Sequence, residues 1–526
     1  MHNTSIASPH LSRRAFLRGS LALAATTIVT PRQLFAASKR PKASTLQPPI
    51  FDQFQTPQWF KDVKFGLWLH WGPQSVPTEG GGWYGRHMYM QKCDRTWGAR
   101  AWGYHREAFG HQSEFGFKDI CNLWKAEKYN AEATMQQFVK WGARYVATVA
   151  NHHDNFDLFP TSVHGWNSTK VGPMRDVLGE FAAAARNHNL KWMASVHAAR
   201  AQFWFDTCMG ADLDGPKKGV PYDGHLTKAD GKGKWWDGLD PRQLYACAYP
   251  AFDAEVRQRH LELVGKYKPD ILYFDDGPII AETMMDACIK LYEDSLKDHG
   301  SIQAIVTIKG KKRGTILDRE MGVARDLPEE YWQTDTSFNQ DWFLRKGDNP
   351  VLNHNVRSLK ETLVDIVSKR GNLMFNIAVE PDGSIPADQF AIMEEFGPWL
   401  LANGEAIYET EPWKIYGEGG IVGGGHFSER RAKNKGWGTE VRRYTTAKDK
   451  KTLYAHIFGE LAGQTLTLPS LADKKLFSGK VNTVSLIGKG QAPVKWALVP
   501  EGLRVTFADS VAFKDCNALK IETTGL

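Results

Sequence analysis

Short apolar segments that alternate with helical patterns constrain this chain more than any other feature. Seven segments have the aromatic and β-branched composition of buried strands, at 64–70, 145–150, 192–196, 271–274, 302–307, 330–334 and 373–377. Helical patterns lie between them, for example at 131–141, 177–187 and 241 to about 266, and a capping-box spacing starts another at Ser358. Apolar strands separated by helices predict a parallel sheet that is covered on both faces. Seven or eight such units over ~350 residues favour a TIM-type (β/α) barrel over an open sheet.

The pattern changes after Pro412. Short alternating stretches, each bounded by Gly, Pro, Asn or Asp, occur at 453–458, 465–468, 481–487, 494–498 and 503–507. This spacing is typical of an antiparallel β-sandwich. We therefore expect a barrel domain over residues 38–412 and a C-terminal β-sandwich over residues 413–526.

The first 37 residues have the composition of an export signal. Arg13-Arg14 is followed by Phe16-Leu17, an apolar run from Leu21 to Val29, and a small-residue end at Ala36-Ala37. A paired arginine before a short apolar core resembles a twin-arginine signal. The run is far shorter than the ~20 residues that span a bilayer. We expect a mature protein without a membrane segment, either periplasmic or secreted.

Charge and cysteine usage limit the partners. The formal charge of the whole chain is +7, and removal of residues 1–37, with four arginines and no acid, lowers it to +3. A nearly balanced charge argues against a nucleic-acid-binding protein. The six cysteines form no C-x-x-C pair, so zinc-ribbon and redox motifs are disfavoured and isolated thiols are expected. The sequence leaves disulfide pairing open, and it allows an oligomer without specifying one.

Histidines and carboxylates follow four of the predicted strands. They are His70, the run His152-His153-Asp154, His197, and the pair Asp275-Asp276. The carboxyl ends of barrel strands meet on one face, and barrel enzymes carry their chemistry there. We expect these side chains to form one site.

Two chemistries suit such a site. The imidazoles and carboxylates could bind a metal, as in metal-dependent barrel hydrolases. Against this, the first strand ends in His70-Trp71 rather than His-x-His, and adjacent His152 and His153 would point apart on a regular strand. Alternatively, the histidines bind sugar hydroxyls while two carboxylates cleave a glycosidic bond.

Several ordered motifs resemble the α-L-fucosidases of glycoside hydrolase family 29. They are Phe65–Gly72, Ser75-Val-Pro77, Trp83-Tyr84, His152-His153-Asp154, Tyr267–Asp275, Val367–Leu373 and Asn403–Tyr408. The resemblance covers about residues 57–412. It implies a retaining exo-enzyme that needs no metal or other cofactor and releases terminal α-L-fucose from fucosylated oligosaccharides or glycoconjugates.

The resemblance also implies site residues. The nucleophile is the aspartate two residues after an aromatic, here Tyr273, which selects Asp275 and makes Asp276 a turn or cap residue. Stretch 317–322 resembles the segment that carries the acid/base residue and points to Glu320; Glu329, Glu330 and Asp318 remain alternatives. The expected substrate-binding residues are His70, Trp83, Tyr84, His152, His153, His197 and Tyr273.

One position departs from the family pattern. Gly82 stands where an acidic residue usually precedes Trp-Tyr, so one polar contact is either missing or supplied from elsewhere. A carbohydrate-binding barrel protein with a decayed site is therefore a further alternative.

Overall fold

Eight parallel strands close into a barrel in the computed structural model of the protein. The structure describes residues 42–526 except for 46–47, 94–95, 248, 276, 278–279, 339–340, 347–351, 420–424, 427–435, 489–491 and 512–514. The chain divides into a unit of Met1–Ser38, which lies outside the described residues, and a unit of Lys39–Leu526, which holds all the sheets that the structure describes. The predicted export signal is therefore not among the described residues.

The first nine strands lie between residues 65 and 378. They are β1 (Phe65–His70), β2 (Tyr145–Asn151), β3 (Lys191–Val196), β4 (Ile271–Phe274), β5 (Ile305–Ile308), β6 (Ile316–Asp318), β7 (Gly322–Val323), β8 (Trp332–Ser337) and β9 (Gly371–Ala378). The barrel order is β1-β2-β3-β4-β5-β6-β8-β9, and β9 pairs with β1 to close it. The two-residue β7 lies outside the barrel.

The helices include the crossover connections of the barrel. They are α1 (Gln58–Val63), α2 (Tyr84–His87), α3 (Thr96–Ala108), α4 (Phe117–Leu123), α5 (Ala131–Lys140), α6 (Val177–Asn187), α7 (Ala201–Trp204), α8 (Pro241–Tyr245), α9 (Phe252–Tyr267), α10 (Met285–His299), α11 (Val356–Ser368) and α12 (Ala387–Ala402). None of the described helices is long and apolar enough to cross a membrane.

Side-chain alternation divides each barrel strand between two cores. In β4, Ile271 and Tyr273 pack inside the barrel with Trp68, whereas Leu272 and Phe274 pack in the layer against the helices. Successive side chains of a strand point to opposite faces. Both faces are buried here, so these strands are continuously apolar, which is the pattern that predicted the parallel sheet.

The remaining strands form the C-terminal sheets, except for the two-residue strand 425–426, which pairs with β7. They are β10 (Glu411–Glu418), β11 (Gly425–His426), β12 (Arg442–Thr446), β13 (Thr452–Phe458), β14 (Thr465–Leu468), β15 (Val481–Leu486), β16 (Ala492–Pro493), β17 (Lys495–Val499), β18 (Gly502–Thr506) and β19 (Cys516–Thr523). A six-stranded antiparallel sheet, β10-β12-β13-β19-β15-β16, and a three-stranded sheet, β14-β18-β17, share one apolar core. The predicted barrel-plus-sandwich fold is confirmed, while the domain limits at 37/38 and 412/413 stay predictions.

Candidate active site

Asp275 directly follows β4 at the carboxyl end of the barrel. Because Ile271 and Tyr273 point into the barrel, the alternation directs the side chain of Asp275 inward as well. Its Oδ2 atom lies 3.2 Å from Nδ1 of His197 and 3.4 Å from Nε2 of His153. Its Oδ1 atom contacts the ammonium of Lys309 and accepts a 3.3 Å hydrogen bond from the Tyr273 hydroxyl. Asp276 lies outside the described residues.

These partners keep Asp275 ionised. Burial alone would raise the pKa of its carboxyl, but Lys309 and His197 outweigh burial and hold the pKa well below the ordinary value. A nucleophilic carboxylate has to be in its anionic form, and nearby cations and hydrogen-bond donors favour that form. The electrostatics of Asp275 therefore suit nucleophilic attack.

Hydrogen-bond partners orient the rings of His70 and His152. His70, at the end of β1, is fixed by Asn376 of β9, whose Oδ1 lies 2.8 Å from Nδ1 of the ring. Gln74 donates to Nδ1 of His152 at 2.8 Å. Because Nδ1 of each ring is engaged, Nε2 is the nitrogen available to a ligand.

The other two histidines face the nucleophile. The Nδ1 atom of His153 lies 3.0 Å from the carbonyl oxygen of His197, and Nε2 of His197 is hydrogen-bonded to the Ser195 hydroxyl.

Burial lowers the pKa of His70 to about 3 and that of His197 to about 4, in the latter case against the attraction of Asp275. Burial also holds the pKa of His152 well below its usual range. These three rings are neutral near pH 7 and can each donate and accept a hydrogen bond.

Lys309 joins the two candidate carboxylates and was not predicted from the sequence. It follows β5 directly, and its ammonium lies 2.7 Å from Oε2 of Glu320 while it contacts Asp275. One ammonium in contact with an oxygen of each group places the two carboxylates side by side, an arrangement compatible with the roughly 5–5.5 Å separation of retaining glycosidases. The predicted strand 302–307 ended too early to reveal Lys309 as a strand-end residue.

A tight turn between β6 and β7 presents Glu320. Met321 has a φ of +48°, which is unusual for a residue other than glycine. Its N–H donates to the backbone oxygen of Asp335 at 2.9 Å, and the Thr334 hydroxyl lies 2.9 Å from the Arg319 carbonyl and 2.7 Å from that of Gly322. Side chains and backbone of β8 thus fix the turn that carries Glu320.

The site surrounds a cavity of about 200 Å³. Pockets for drug-sized ligands are larger, roughly 300–1,000 Å³, so this volume suits a single sugar ring. The predicted residues that line it are His70, Trp83, His152, His153, His197, Asp275 and Glu320. The lining residues that the sequence did not indicate are Trp68, Arg200, Lys309, Asp335, Asp341 and Trp342.

Two predicted ligands do not line the cavity. Tyr84 is buried, and its hydroxyl donates to Nδ1 of His105 at 2.6 Å. Tyr273 lies inside the barrel, packs edge-on against Trp68 and touches Asp275. The polar, Gly- and Lys-rich segment 205–245, between β3 and β4, contributes no described residue to the lining.

The alternative acids lie elsewhere. Glu329 and Glu330 are exposed and precede β8, so they lie at the amino end of a barrel strand, opposite the cavity. Asp318, inside the barrel, accepts a 2.8 Å hydrogen bond from Gln333, and burial raises the pKa of its carboxyl to about 7. Of the predicted acids, Glu320 is the one that lines the cavity with Asp275.

Three histidines could also hold a metal ion. The ligand atoms of His152, His153 and His197 lie within 4.8 Å of one another. However, both ring nitrogens of His197 are engaged, since Nδ1 faces Asp275 at 3.2 Å and Nε2 is hydrogen-bonded to the Ser195 hydroxyl. A ring nitrogen that donates a proton, or that already accepts one, offers no lone pair to a metal. The hydrogen bonds therefore favour binding of hydroxyls and of Asp275 over metal ligation.

A family profile described as Alpha-L-fucosidase matches residues 34–405. The chain belongs to the α-L-fucosidase family. This family consists of glycoside hydrolases, so the family and enzyme class predicted from the sequence are confirmed. Hydrolysis of α-L-fucosides is the activity of the family, and the expected function is confirmed at that level.

Individual α-L-fucosidases resemble the chain over most of its length. Tissue alpha-L-fucosidase of Bos taurus is 28% identical over 386 residues, which cover 70% of this chain and 72% of that protein. An alpha-L-fucosidase of Dictyostelium discoideum is 23% identical over 381 residues, covering 70% and 75%. The crystal structure of a Thermotoga maritima alpha-fucosidase in complex with fucose superposes with a TM-score of 0.66 at 23% identity, covering 90% of this chain and 98% of that one. This last likeness supports the fold.

The six cysteines all lie among the described residues, and each is a free thiol. Cys121, Cys208, Cys288 and Cys516 are buried. This arrangement agrees with the expectation of isolated thiols.

Proposed function

We propose that Asp275 is the nucleophile and Glu320 the acid/base of a retaining α-L-fucosidase. The contact of Lys309 with both carboxylates is the observation that carries the assignment, because two acids that share one ammonium are near enough to act on one sugar by double displacement. Both acids line the same cavity at the carboxyl end of the barrel. The presence of a complete carboxylate pair favours an enzyme over a decayed binding protein.

In the first step, an oxygen of Asp275 attacks the anomeric carbon of the fucosyl ring. The glycosidic C–O bond breaks, and Glu320, in its acid form, gives its proton to the leaving oxygen. In the second step, Glu320 takes a proton from water, the water oxygen attacks the anomeric carbon, and Asp275 is released. Two inversions leave the configuration of the sugar unchanged.

The neutral histidines would bind the ring hydroxyls. His70 and His152 present Nε2 to the cavity, because Asn376 and Gln74 engage Nδ1. Trp83 supplies an apolar wall beside His153, with ring centroids 5.9 Å apart. A cavity of about 200 Å³ accommodates one terminal residue, which supports exo action on fucosylated glycans or glycoconjugates.

The assignment is tested with an aryl α-L-fucoside. The Asp275→Ala variant should lose almost all turnover, and azide should restore activity by forming the fucosyl azide of inverted configuration. The matched control is Asp298→Ala, since Asp298 is an exposed acid paired with Lys268 on the surface. Wild-type turnover in the Asp275→Ala variant, or an equal loss in Asp298→Ala, would overturn the assignment.

We further propose that residues 1–37 direct export through a twin-arginine-type route, with a periplasmic or secreted product. The support is the Arg13-Arg14 pair before a short apolar core. Fusion of residues 1–37 to a reporter tests this. Replacing both arginines by lysine should retain the reporter in the cytoplasm, whereas unchanged export would contradict the proposal.

A further inference from the structure

The carboxylate of Asp341 lies in the cavity, cradled by backbone amides. Its Oδ1 atom accepts hydrogen bonds from the N–H groups of Trp342 at 2.7 Å, Gly82 at 3.2 Å and Phe343 at 3.4 Å. Asp341 is on the loop after β8, whereas Gly82 is on the loop after β1. The carboxylate therefore joins two loops that enter the site from different strands.

The glycine run at 80–82 leaves the space that this carboxylate occupies. A Cβ atom on Gly81 would lie 1.8 Å from Oδ2 of Asp341, far inside van der Waals contact. Gly81 also has a φ of +61°, a conformation that glycine adopts without strain. Both features disfavour any other residue at position 81, so the loop after β1 leaves room for Asp341.

The loop that carries Asp341 is fixed relative to the site. Asn376 donates to the carbonyl oxygen of Trp342 at 2.8 Å, and the same Asn376 holds the ring of His70. The ring centroids of Trp342 and His70 lie 5.0 Å apart. Asp341 is therefore positioned by the same residue that positions a proposed sugar ligand.

We propose that Asp341 binds a hydroxyl group of the fucosyl ring and is a specificity-determining residue of this enzyme. The inference rests on the proposed function. In this proposal, the carboxylate that accepts from the sugar hydroxyl belongs to the loop after β8. The loop after β1 has Gly82 at the position where the family usually has an acid. Asp341 lines the cavity together with Trp83 and His70, so its carboxylate is accessible to a bound ring. A half-buried carboxylate that accepts from a hydroxyl makes a charge-assisted hydrogen bond.

The experiment compares wild type, Asp341→Ala and Asp341→Asn on an aryl α-L-fucoside and on its monodeoxy analogues. A hydrogen bond to a charged group predicts a loss of about 10- to 100-fold in kcat/KM for Asp341→Ala on the parent compound. The loss should disappear on the one analogue that lacks the partner hydroxyl and persist on the others. The Lys346→Ala variant is the control, because Lys346 is on the same loop and pairs with Glu380 outside the cavity.

A uniform loss over all analogues would assign Asp341 a structural role only and overturn the inference, as would no loss at all. The Asp341→Asn variant preserves the acceptor for the backbone amides, so it keeps the test valid if Asp341→Ala does not fold. It should show the same hydroxyl-specific pattern to a smaller extent. If wild type hydrolyses none of the aryl α-L-fucosides, the proposed function fails and takes this inference with it. If wild type is active but the loss of kcat/KM in the variants is the same on every analogue, this inference is overturned and the proposed function stands.

Discussion

The ammonium of Lys309 lies 2.7 Å from Oε2 of Glu320. It also contacts Asp275, so one cation is shared by both proposed catalytic carboxylates. Burial lowers the pKa of Lys309, but its carboxylate neighbours outweigh burial and raise it, so the ammonium stays charged throughout the neutral range. The charge state of the site therefore depends on a residue that performs neither proposed chemical step.

Replacement of Lys309 by methionine tests this dependence. Without the ammonium, the pKa of Asp275 should rise, because Lys309 is the main cause that holds it low. Protonated Asp275 cannot attack, so the acid limb of kcat/KM should move to higher pH. At the optimum we expect a loss of about 10²–10³-fold, as for other preorganised charges. The measurement is the pH profile with an aryl α-L-fucoside.

Lys309→Arg is the matched control for charge. It should retain the position of the acid limb even if the rate falls, because arginine keeps the positive charge on a different geometry. An unchanged acid limb in Lys309→Met would show that Lys309 does not control the ionisation of Asp275.

Removal of Glu320 should depend on the leaving group. General acid catalysis contributes about 10²–10⁴-fold, and only substrates with poor leaving groups need it. Glu320→Ala should therefore lose about this factor on a fucosyl disaccharide and much less on an activated aryl fucoside. Glu330→Ala is the control, since Glu330 is exposed at the amino end of β8 and pairs with Lys311. Equal losses on both substrates would assign the acid role to another residue.

The strands of the barrel were predictable where both of their faces are buried. β4 coincides with the predicted segment 271–274, and β2 extends the predicted segment 145–150 by one residue. β6 was missed, because its three residues give no periodicity and are followed by Arg319 and Glu320. In the sandwich, β12 was missed because Arg443 is buried in an ion pair with Asp365, which hides the apolar alternation.

Helix ends were less predictable than helix positions. The single helix expected over 241–266 is divided into α8 and α9, because Ala246 adopts a φ of +62° and ends the first. The helix expected to begin at Ser358 begins at Val356. Asn355 caps it and accepts from the N–H of Ser358 at 2.9 Å. The capping signal was present in the sequence, but it belonged to Asn355.

The histidines and Asp275 were predictable because strand ends fix their location, whereas Glu320 was predicted from the resemblance of 317–322 to a family segment. Asp341 and Trp342 were not, since they lie on a long connection whose path depends on contacts with another loop. Tyr84 is the converse case, a residue expected at the cavity that does not line it. It is adjacent to Trp83 in sequence, but the chain turns into α2 there and directs the tyrosine hydroxyl to His105.

Thr334 offers a test of how the turn at Glu320 is held. Its hydroxyl reaches the carbonyl oxygens of Arg319 and Gly322 on either side of Glu320. Thr334→Val keeps the shape of the side chain but removes the hydrogen-bond donor. The turn should loosen, and the free energy of unfolding should fall by about 1–3 kcal/mol. We expect a larger loss of kcat on a fucosyl disaccharide than on an activated aryl fucoside, because Glu320 is the group displaced.

Thr334→Ser is the matched control, since it restores the hydroxyl without the methyl group. It should recover the wild-type ratio of kcat between the two substrates. A loss of kcat in Thr334→Val that is the same for both substrates would indicate a general effect on folding rather than on the position of Glu320.

His456 should make the stability of the sandwich dependent on pH. It lies on β13, almost fully buried, with Nε2 3.2 Å from the Thr445 hydroxyl, and burial lowers its pKa to about 4. The unfolded chain takes up a proton near pH 6.5, whereas the folded chain does so only near pH 4. Between these values the unfolded state binds more protons, so stability falls as the pH is lowered.

The His456→Gln variant isolates this contribution, because glutamine does not titrate. The difference in free energy of unfolding, wild type minus variant, should be constant above pH 7 and decrease by up to about 3 kcal/mol as the pH falls to 4. Urea unfolding at several pH values measures the difference. A difference that stays constant between pH 7 and pH 4 would mean that His456 takes up its proton as readily in the folded as in the unfolded state. In that case the low exposure of its ring would not control its ionisation.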